Sequence, residues 1–205
     1  KKISDIARNV GVKAVIIRIN SPGGTVVGGE TLHKAFIDLA AEKPVVAVMG
    51  GIGTSAAYMT AIAADRIYAR EGTLTGSIGV LLQTTEVTRL LEMIGVSAKT
   101  IKSGSLKAVP SPLEPISPHI EAATKRLITD MYTMFRDMVL RRRGLSLAEE
   151  KQFSDGRVFT GRQALAAGLV DEIGGEGAAV NWLETIRGVP KGLKIRDVHL
   201  QKGGN

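Results

Sequence analysis

The chain has 205 residues, of which 44% are hydrophobic and 24 are glycine, a composition typical of a folded α/β protein rather than a disordered one. It contains no cysteine, which excludes disulfides, thiolate metal sites and a cysteine nucleophile. The 27 basic and 20 acidic residues give a net charge of +7, but only 4% of the residues are aromatic and no nucleic-acid-binding motif accompanies the charge. We therefore expect no nucleic-acid partner.

Strands and helices are predicted to alternate through the first half of the chain. Apolar runs predict the strands, and apolar residues at helical spacing, or small helix-forming residues, predict the helices between them. The predicted strands are 13–20, 44–49, 65–70, 75–84 (which opens on a glycine turn) and 97–104, and the predicted helices are 25–41, the segment after Ser55, and 86–95. This alternation predicts a largely parallel sheet with helices on its faces, in which sites form at the carboxyl ends of strands.

The second half is predicted to be mainly helical. A proline-rich loop (109–118) precedes one long helix from about His119 to Arg143, whose apolar residues recur every three or four positions. The capping box SLAE (146–149) opens another helix, and Thr160 is a further predicted cap. Since no repeat or domain boundary is visible, we expect one domain over residues 1–205.

The sequence alone leaves open how the protein is related to a membrane. No run of about 18 apolar residues is present, so we expect no membrane-spanning helix within this sequence. The chain opens on KKISDIARN without a methionine, and we expect the natural protein to extend beyond it. The basic run RRRG (141–144), with Gly144 as a C′ residue, is interpreted as a solvated helix end, with attraction to anionic lipid head groups as the alternative.

The stretch GGIGTSAAYMTA (50–61) places Ser55 among small residues, between a buried strand and a helix. The serine is either a helix N-cap or a nucleophile whose approach is kept open, with backbone N–H groups free to hold an oxyanion. The motif SPGG (21–24) follows the first predicted strand. It can be a plain turn, but beside Ser55 it supplies N–H groups of the kind that form an oxyanion hole.

A serine nucleophile needs a base that takes its proton. His33, His119 and His199 show no metal-ligand spacing, and each is predicted to lie on the surface of its element, away from the strand ends. Lysine is the other known partner, and it acts only when neutral, a form that burial favours. Lys107 has apolar neighbours and no acid before Glu114, although the residues alone favour a solvated loop lysine.

Five motifs follow one another in a specific order. They are SPGG (21–24), GxxxS ending at Ser55, TGSIGV (75–80), KSGxxKxxxSP (102–112) and GRVFTGxxAxxxGLVDEIGG (156–175). Each is weak alone, but the ordered set covers most of the chain and resembles the SppA family of signal peptide peptidases. The resemblance implies a ClpP/crotonase-type α/β fold, with repeated strand–helix units, a largely parallel sheet and a long C-terminal helical segment.

The resemblance also implies a mechanism. Members of this family are membrane-anchored serine proteases with a Ser–Lys dyad, which cut residual signal peptides and need no cofactor or metal. Carried over by position, Ser55 matches the nucleophile and Lys107 the general base. The remaining matches are the oxyanion donors Gly24 and Ala56, the lysine-orienting Ser77, and the substrate-binding residues Gly23, Gly76, Ile78 and Gly79. The alanines at 56 and 57 depart from the family, which often has two glycines after the nucleophile.

Partners and location follow from the same resemblance. Family members form ring-shaped homo-oligomers, and in short members the serine and lysine of one site come from neighbouring subunits. We expect signal peptides as substrates, a membrane anchor outside this sequence, and a place at the bacterial cytoplasmic membrane with the peptidase domain on the extracytoplasmic side.

Other members of the fold remain as alternatives. ClpP needs a histidine some two dozen residues after the serine, and the segment GTLTGSIGV (72–80) has none. A stomatin-associated Ser–Lys membrane protease fits the dyad, but the C-terminal motif (156–175) favours the SppA family over it. A crotonase-type acyl-CoA enzyme usually brings carboxylates to the site, and a non-catalytic scaffold would not need the Ser–Lys pair.

Overall fold

The structure, a computed structural model, describes residues 2–198. The chain divides into two compact units, the first formed by the residues up to Gly79 and those from Arg136 onward, the second by residues 80–135. The strands are β1 Val15–Ser21, β2 Val45–Thr54, β3 Arg66–Ala69, β4 Leu74–Gly76, β5 Val158–Thr160 and β6 Glu172–Ile173. The helices are α1 Lys2–Arg8, α2 Val26–Ala40, α3 Ala56–Ala61, α4 Thr88–Met93, α5 Pro118–Arg143, α6 Leu147–Glu150, α7 Gly161–Ala166 and α8 Glu176–Thr185.

The sheet of the first unit is built around β2. Its order is β5-β4-β2-β3-β6, and β1 pairs with β2 as well. Every pairing is parallel except that of β4 with β5. Because β2 is covered on both faces, Val45, Val46 and Ala47 are fully buried. The predicted α/β fold with a largely parallel sheet is confirmed.

The glycine run after the second apolar segment belongs to β2, which continues beyond the predicted strand 44–49 as far as Thr54. The register runs from Val15 opposite Val45 to Ile19 opposite Met49, and then shifts so that Ser21 lies opposite Gly53. The Asn20 side chain lies at this bulge, where its Oδ1 accepts a hydrogen bond from the N–H of Ile52 (3.2 Å). A Cβ on Gly50 would lie only 3.1 Å from that Oδ1. Small residues therefore let β2 bulge and continue to the position of Ser55.

Two predicted strands are wrong. β4 ends at Gly76, because Gly76 and Ser77 have φ angles of 78° and 50° that turn the chain out of the sheet. Residues 97–104 form no regular structure, and Ile101 is 90% exposed, so this segment finds no partner strand among the described residues. A segment predicted as a strand from its local sequence does not form one without the tertiary contacts that a strand requires.

The C-terminal motif completes both edges of this sheet, since it forms β5, α7 and β6. Thr160 caps α7 in a capping box with Gln163, as predicted, and the predicted box at Ser146 and Glu149 is also present. A Cβ on Gly161 would lie 2.0 Å from the carbonyl oxygen of Arg70, so this motif position accepts only glycine.

The basic end of α5 is only in part the solvated helix end that was predicted. The Arg143 side chain is only 11% exposed, donates to the carbonyl of Gly168 (2.8 Å) and pairs with Asp171 (2.8 Å). Arg141 is exposed, and Gly144 has a φ of 64°, in keeping with its predicted C′ position. Arg143 thus ties the end of α5 to the C-terminal motif.

The second unit contains α4 and the first part of α5, and the rest of it is irregular. Of the described helices, none combines the length and the apolar character needed to cross a bilayer.

Candidate active site

Ser55 lies at the junction of β2 and α3 in an unusual backbone conformation. Its φ and ψ are 55° and −127°, a region that side-chain-bearing residues rarely adopt. Its N–H donates to the carbonyl of Gly76 (2.9 Å), and its carbonyl accepts from the N–H of Met59 (2.9 Å). The hydroxyl makes no capping hydrogen bond. The backbone of Ser55 therefore begins α3, while its hydroxyl does not cap the helix and is available for chemistry.

The SPGG loop packs directly against this turn. Gly23 has a φ of 116°, and a Cβ there would lie 2.8 Å from Cβ of Ser55 and 3.2 Å from the backbone nitrogen of Ala56. Two hydrogen bonds hold the loop, from the N–H of Gly23 to Oγ of Ser21 (3.2 Å) and from the hydroxyl of Thr54 to the carbonyl of Pro22 (2.9 Å). The sequence prediction that SPGG lies beside Ser55 is in agreement with these contacts.

Two backbone N–H groups beside Ser55 lack an acceptor within the described part of the chain, those of Gly24 and Ala56. Ala56 is the first residue of α3, so its N–H has no carbonyl of the preceding turn to bind. Gly24 has open space where a Cβ would lie. The arrangement can hold a negatively charged oxygen next to the Ser55 hydroxyl.

This packing predicts that Gly23→Ala damages the site. The added Cβ meets Ser55, and the left-handed φ is strained for alanine, so we expect the free energy of unfolding to fall by about 1–3 kcal/mol. Gly24→Ala is the matched control, because its Cβ has no neighbour within 4 Å. Chemical denaturation of both variants tests this, and equal stability of the two would contradict it.

The end of β4 and the residues that follow it also border the Ser55 turn. A Cβ on Gly76 would lie 2.6 Å from the ring of Phe159, so glycine is required where the carbonyl reaches the N–H of Ser55. The N–H of Ser77 donates to the carbonyl of Arg157 (2.9 Å), and its half-buried hydroxyl has no hydrogen-bond partner among the described residues. The side chain of Ile78 is fully buried, so only its backbone is available to a substrate, whereas Gly79 is partly exposed.

A cavity of about 460 Å³ opens next to this turn. Gly23, Gly24 and Ala56, which adjoin Ser55, form one part of its lining, and Leu32 and Phe36 of α2 form another. The walls are mainly apolar, which suits an uncharged side chain.

The far end of α3 is held by side chains that the sequence did not point to. His33 was predicted to lie on the surface, but it is only 9% exposed because α2 packs on α3, and its Nδ1 lies 2.8 Å from the carbonyl oxygen of Met59. Since a carbonyl only accepts, this nitrogen carries the proton. The carbonyl is free because its expected helical donor, the N–H of Ala63, bonds to Thr60 instead (3.2 Å).

Arg142 completes this support. Its guanidinium donates to the carbonyls of Ile62 (2.7 Å), Ala63 (3.2 Å) and Ala64 (3.2 Å), which follow the last turn of α3. The RRRG motif was the only sequence signal for it, and it gave no indication of which helix the arginine would reach. His119 is exposed as predicted, and His199 lies outside the described residues.

The buried imidazole predicts an acid-sensitive component of stability. Burial lowers the pKa of His33, the hydrogen bond to Met59 opposes this, and the charges of Arg142 and Arg141 lower the pKa further. The unfolded chain therefore takes up this proton at a higher pH than the folded chain, so the free energy of unfolding falls as pH drops below about 6.5. In His33→Gln, which keeps an N–H donor, this loss should be smaller, and parallel denaturation profiles of the two proteins against pH would argue against the assignment.

Lys107 belongs to the second unit, whereas the other predicted site residues belong to the first. In the single chain it is exposed, although a lysine base was expected to be buried, and it has no side-chain partner among the described residues. Its N–H donates to the carbonyl of Gly104 (3.0 Å), and Ala108 after it has a φ of 59°. Glu114 pairs with Lys102.

The chain matches a known protein family over most of its length. The model of peptidase family S49 matches residues 37–190, which include Ser55, Ser77 and Lys107. The chain belongs to peptidase family S49. This membership confirms the resemblance to the SppA family that the ordered motifs indicated.

Two relatives of this S49 chain carry protease names. A putative protease of Synechocystis sp. is 42% identical over 86% of this chain and 64% of its own length. The putative signal peptide peptidase SppA of Enterococcus faecium is 32% identical over 84% of this chain and 51% of its own length. The chain thus spans less than two thirds of either relative.

A solved structure confirms the fold. A ClpP1 mutant from Listeria monocytogenes superposes with a TM-score of 0.50 at 18% identity, covering 85% of this chain and 84% of that chain. At this identity the likeness concerns the fold alone, which is the predicted ClpP-type fold.

Proposed function

We propose that this chain is the peptidase domain of a serine endopeptidase in which Ser55 is the nucleophile and Lys107 the general base. The observation that carries the proposal is the Ser55 turn, where a strained backbone presents a hydroxyl that caps nothing, beside the free N–H groups of Gly24 and Ala56. Membership of a peptidase family supports the same chemistry.

The reaction follows from these groups. Oγ of Ser55 attacks the carbonyl carbon of the scissile peptide bond as its proton passes to the neutral amine of Lys107. The N–H groups of Gly24 and Ala56 stabilise the resulting oxyanion. When the C–N bond breaks, the ammonium returns the proton to the leaving amine. Water then attacks the acyl-enzyme as Lys107 takes its proton, and the ammonium passes that proton to Oγ of Ser55 as the ester C–O bond breaks, which releases the peptide acid and regenerates Ser55 and neutral Lys107.

The exposure of Lys107 in the single chain supports a site that is completed by assembly. A lysine in water is almost fully protonated at neutral pH, so a base needs a less polar setting. The second unit also exposes large apolar side chains, including Leu81 (80%), Met93 (83%) and Ile101 (90%). Surfaces of this kind mark contacts between proteins. We therefore extend the proposal to a ring-shaped homo-oligomer in which Lys107 reaches Ser55 of a neighbouring subunit.

The cavity beside Gly23 supports an apolar peptide as substrate, such as a residual signal peptide. Both edges of β4 are paired, by β2 and β5, so a peptide cannot add as a strand at Leu74–Gly76. It would lie along residues 22–28 and next to the backbone of Ile78 and Gly79, with one side chain in the apolar cavity. Such substrates are consistent with a domain on the extracytoplasmic side of a bacterial cytoplasmic membrane, held there by a segment outside this sequence.

A cleavage screen tests the proposed function. The purified chain is incubated with a library of short peptides and, in parallel, with acyl-CoA thioesters, which are substrates of the rival crotonase-type enzymes. We expect peptide cleavage after small or medium apolar residues and no thioester turnover. Preference for a charged residue at the cut, or thioester turnover without peptide cleavage, would contradict the proposal.

A further inference from the structure

The loop that carries Lys107 is closed by an ion pair between its ends. Nζ of Lys102 meets Oε1 of Glu114, and the two side chains are only 11% and 26% exposed. Both atoms are shielded from solvent, and among the described residues neither has a hydrogen bond to any other group. We call residues 103–113, between the two partners, the Lys107 loop.

The rest of the Lys107 loop has little to fix its shape. It forms no helix or strand, and its hydrogen bonds within the loop are short-range, such as that from the N–H of Leu113 to Oγ of Ser111 (3.2 Å). One backbone bond reaches outside it, from the N–H of Val87 to the carbonyl of Pro112 (3.0 Å). Ala108, next to Lys107, has a φ of 59°, which persists only where the surroundings impose it.

We infer that Lys102 and Glu114 are a positioning pair, which clamps the Lys107 loop so that Lys107 is presented in one conformation. A shielded ion pair contributes little net stability compared with apolar residues of the same size, because both charges lose their hydration. Its directional contact does constrain geometry, since it joins two points that are twelve residues apart in the sequence.

The pair also gives Lys102 and Lys107 different roles. Glu114, the first acid after Lys107 in the sequence, is engaged by Lys102, which leaves Lys107 without a carboxylate partner among the described residues. A base must release its proton in each cycle, and a carboxylate partner would hold that proton in place. The inference rests on the proposed function of Lys107 as the base.

Hydrogen exchange and kinetics test the clamp together. In Glu114→Gln we expect the amides of the Lys107 loop to exchange at least about tenfold faster, while those of β2 stay unchanged. We expect kcat for peptide cleavage to fall by about tenfold or more with KM nearly constant, because the base and not the substrate site is displaced. The charge-swapped double variant, with Lys102→Glu and Glu114→Lys, should recover much of both properties. Glu92→Gln is the matched control, since Glu92 is an exposed glutamate of the same unit.

The possible results of these experiments distinguish a positioning role of the pair from a merely structural one. Unchanged exchange in Glu114→Gln, or faster exchange with wild-type kcat, would overturn the positioning role. If Glu114→Gln does not fold, the double variant Lys102→Met with Glu114→Leu removes both charges at similar volume, and wild-type kcat in that protein would equally overturn it. The exchange result does not depend on what Lys107 does. Full activity of Lys107→Ala would therefore refute the proposed function and leave the clamp itself measurable.

Discussion

Ser55→Ala is expected to lower the rate of peptide cleavage by about three orders of magnitude or more, because no other group replaces the lost nucleophile. The fold should be unaffected, since the Ser55 hydroxyl makes no capping bond and the backbone bonds to Gly76 and Met59 remain. The measurement is kcat/KM on an apolar peptide together with a thermal melt. Ser97→Ala, the same change at an exposed serine, is the control. A folded Ser55→Ala protein with near-wild-type activity would remove Ser55 from the mechanism.

Lys107→Arg should be inactive at every pH. Arginine keeps the positive charge and much of the side-chain length, but it does not lose its proton at any working pH and so cannot serve as a base. Lys99→Arg, at an exposed position of the same unit, should keep its activity. The test is a profile of kcat/KM against pH for the wild-type protein, Lys107→Arg and Lys99→Arg. Measurable turnover by Lys107→Arg would mean that Lys107 acts only through its charge.

The same two residues report on assembly. Ser55→Ala and Lys107→Ala proteins are each inactive alone, but if one site takes its serine and lysine from different subunits, refolding them together should restore part of the activity. Well-assembled mixtures that stay inactive would place the serine and the lysine in one chain.

The central part of the fold could be predicted from the sequence because it rests on strong local signals. β1, β2 and β3 contain apolar runs, and α2 and α5 have clear helical periodicity. β5 and β6 have only three and two residues, so no local pattern identifies them. They exist through pairing with β4 and β3, a contact between distant parts of the chain.

The candidate site likewise has parts that could be predicted from the sequence and parts that could not. Ser55 and SPGG stand out because small residues at strand ends are a local pattern, and the structure brings them into contact. The support of α3 by His33 and Arg142 is not visible in the sequence, because it depends on which carbonyls the end of that helix leaves free. Lys107 is exposed in the single chain, as a solvated loop lysine would be, and its neighbours in the sequence do not show what surrounds it when it acts as a base.

The most direct test of the proposed chemistry is covalent labelling with a fluorophosphonate, which reacts with serines activated as nucleophiles, followed by mass mapping of the adduct. We predict one adduct, on Ser55, formed in step with the loss of peptide cleavage, and no adduct in the Lys107→Ala protein, where the base is missing. Complete loss of activity with the adduct on another residue, or an unreduced labelling rate of Ser55 in Lys107→Ala, would contradict a Ser55–Lys107 peptidase.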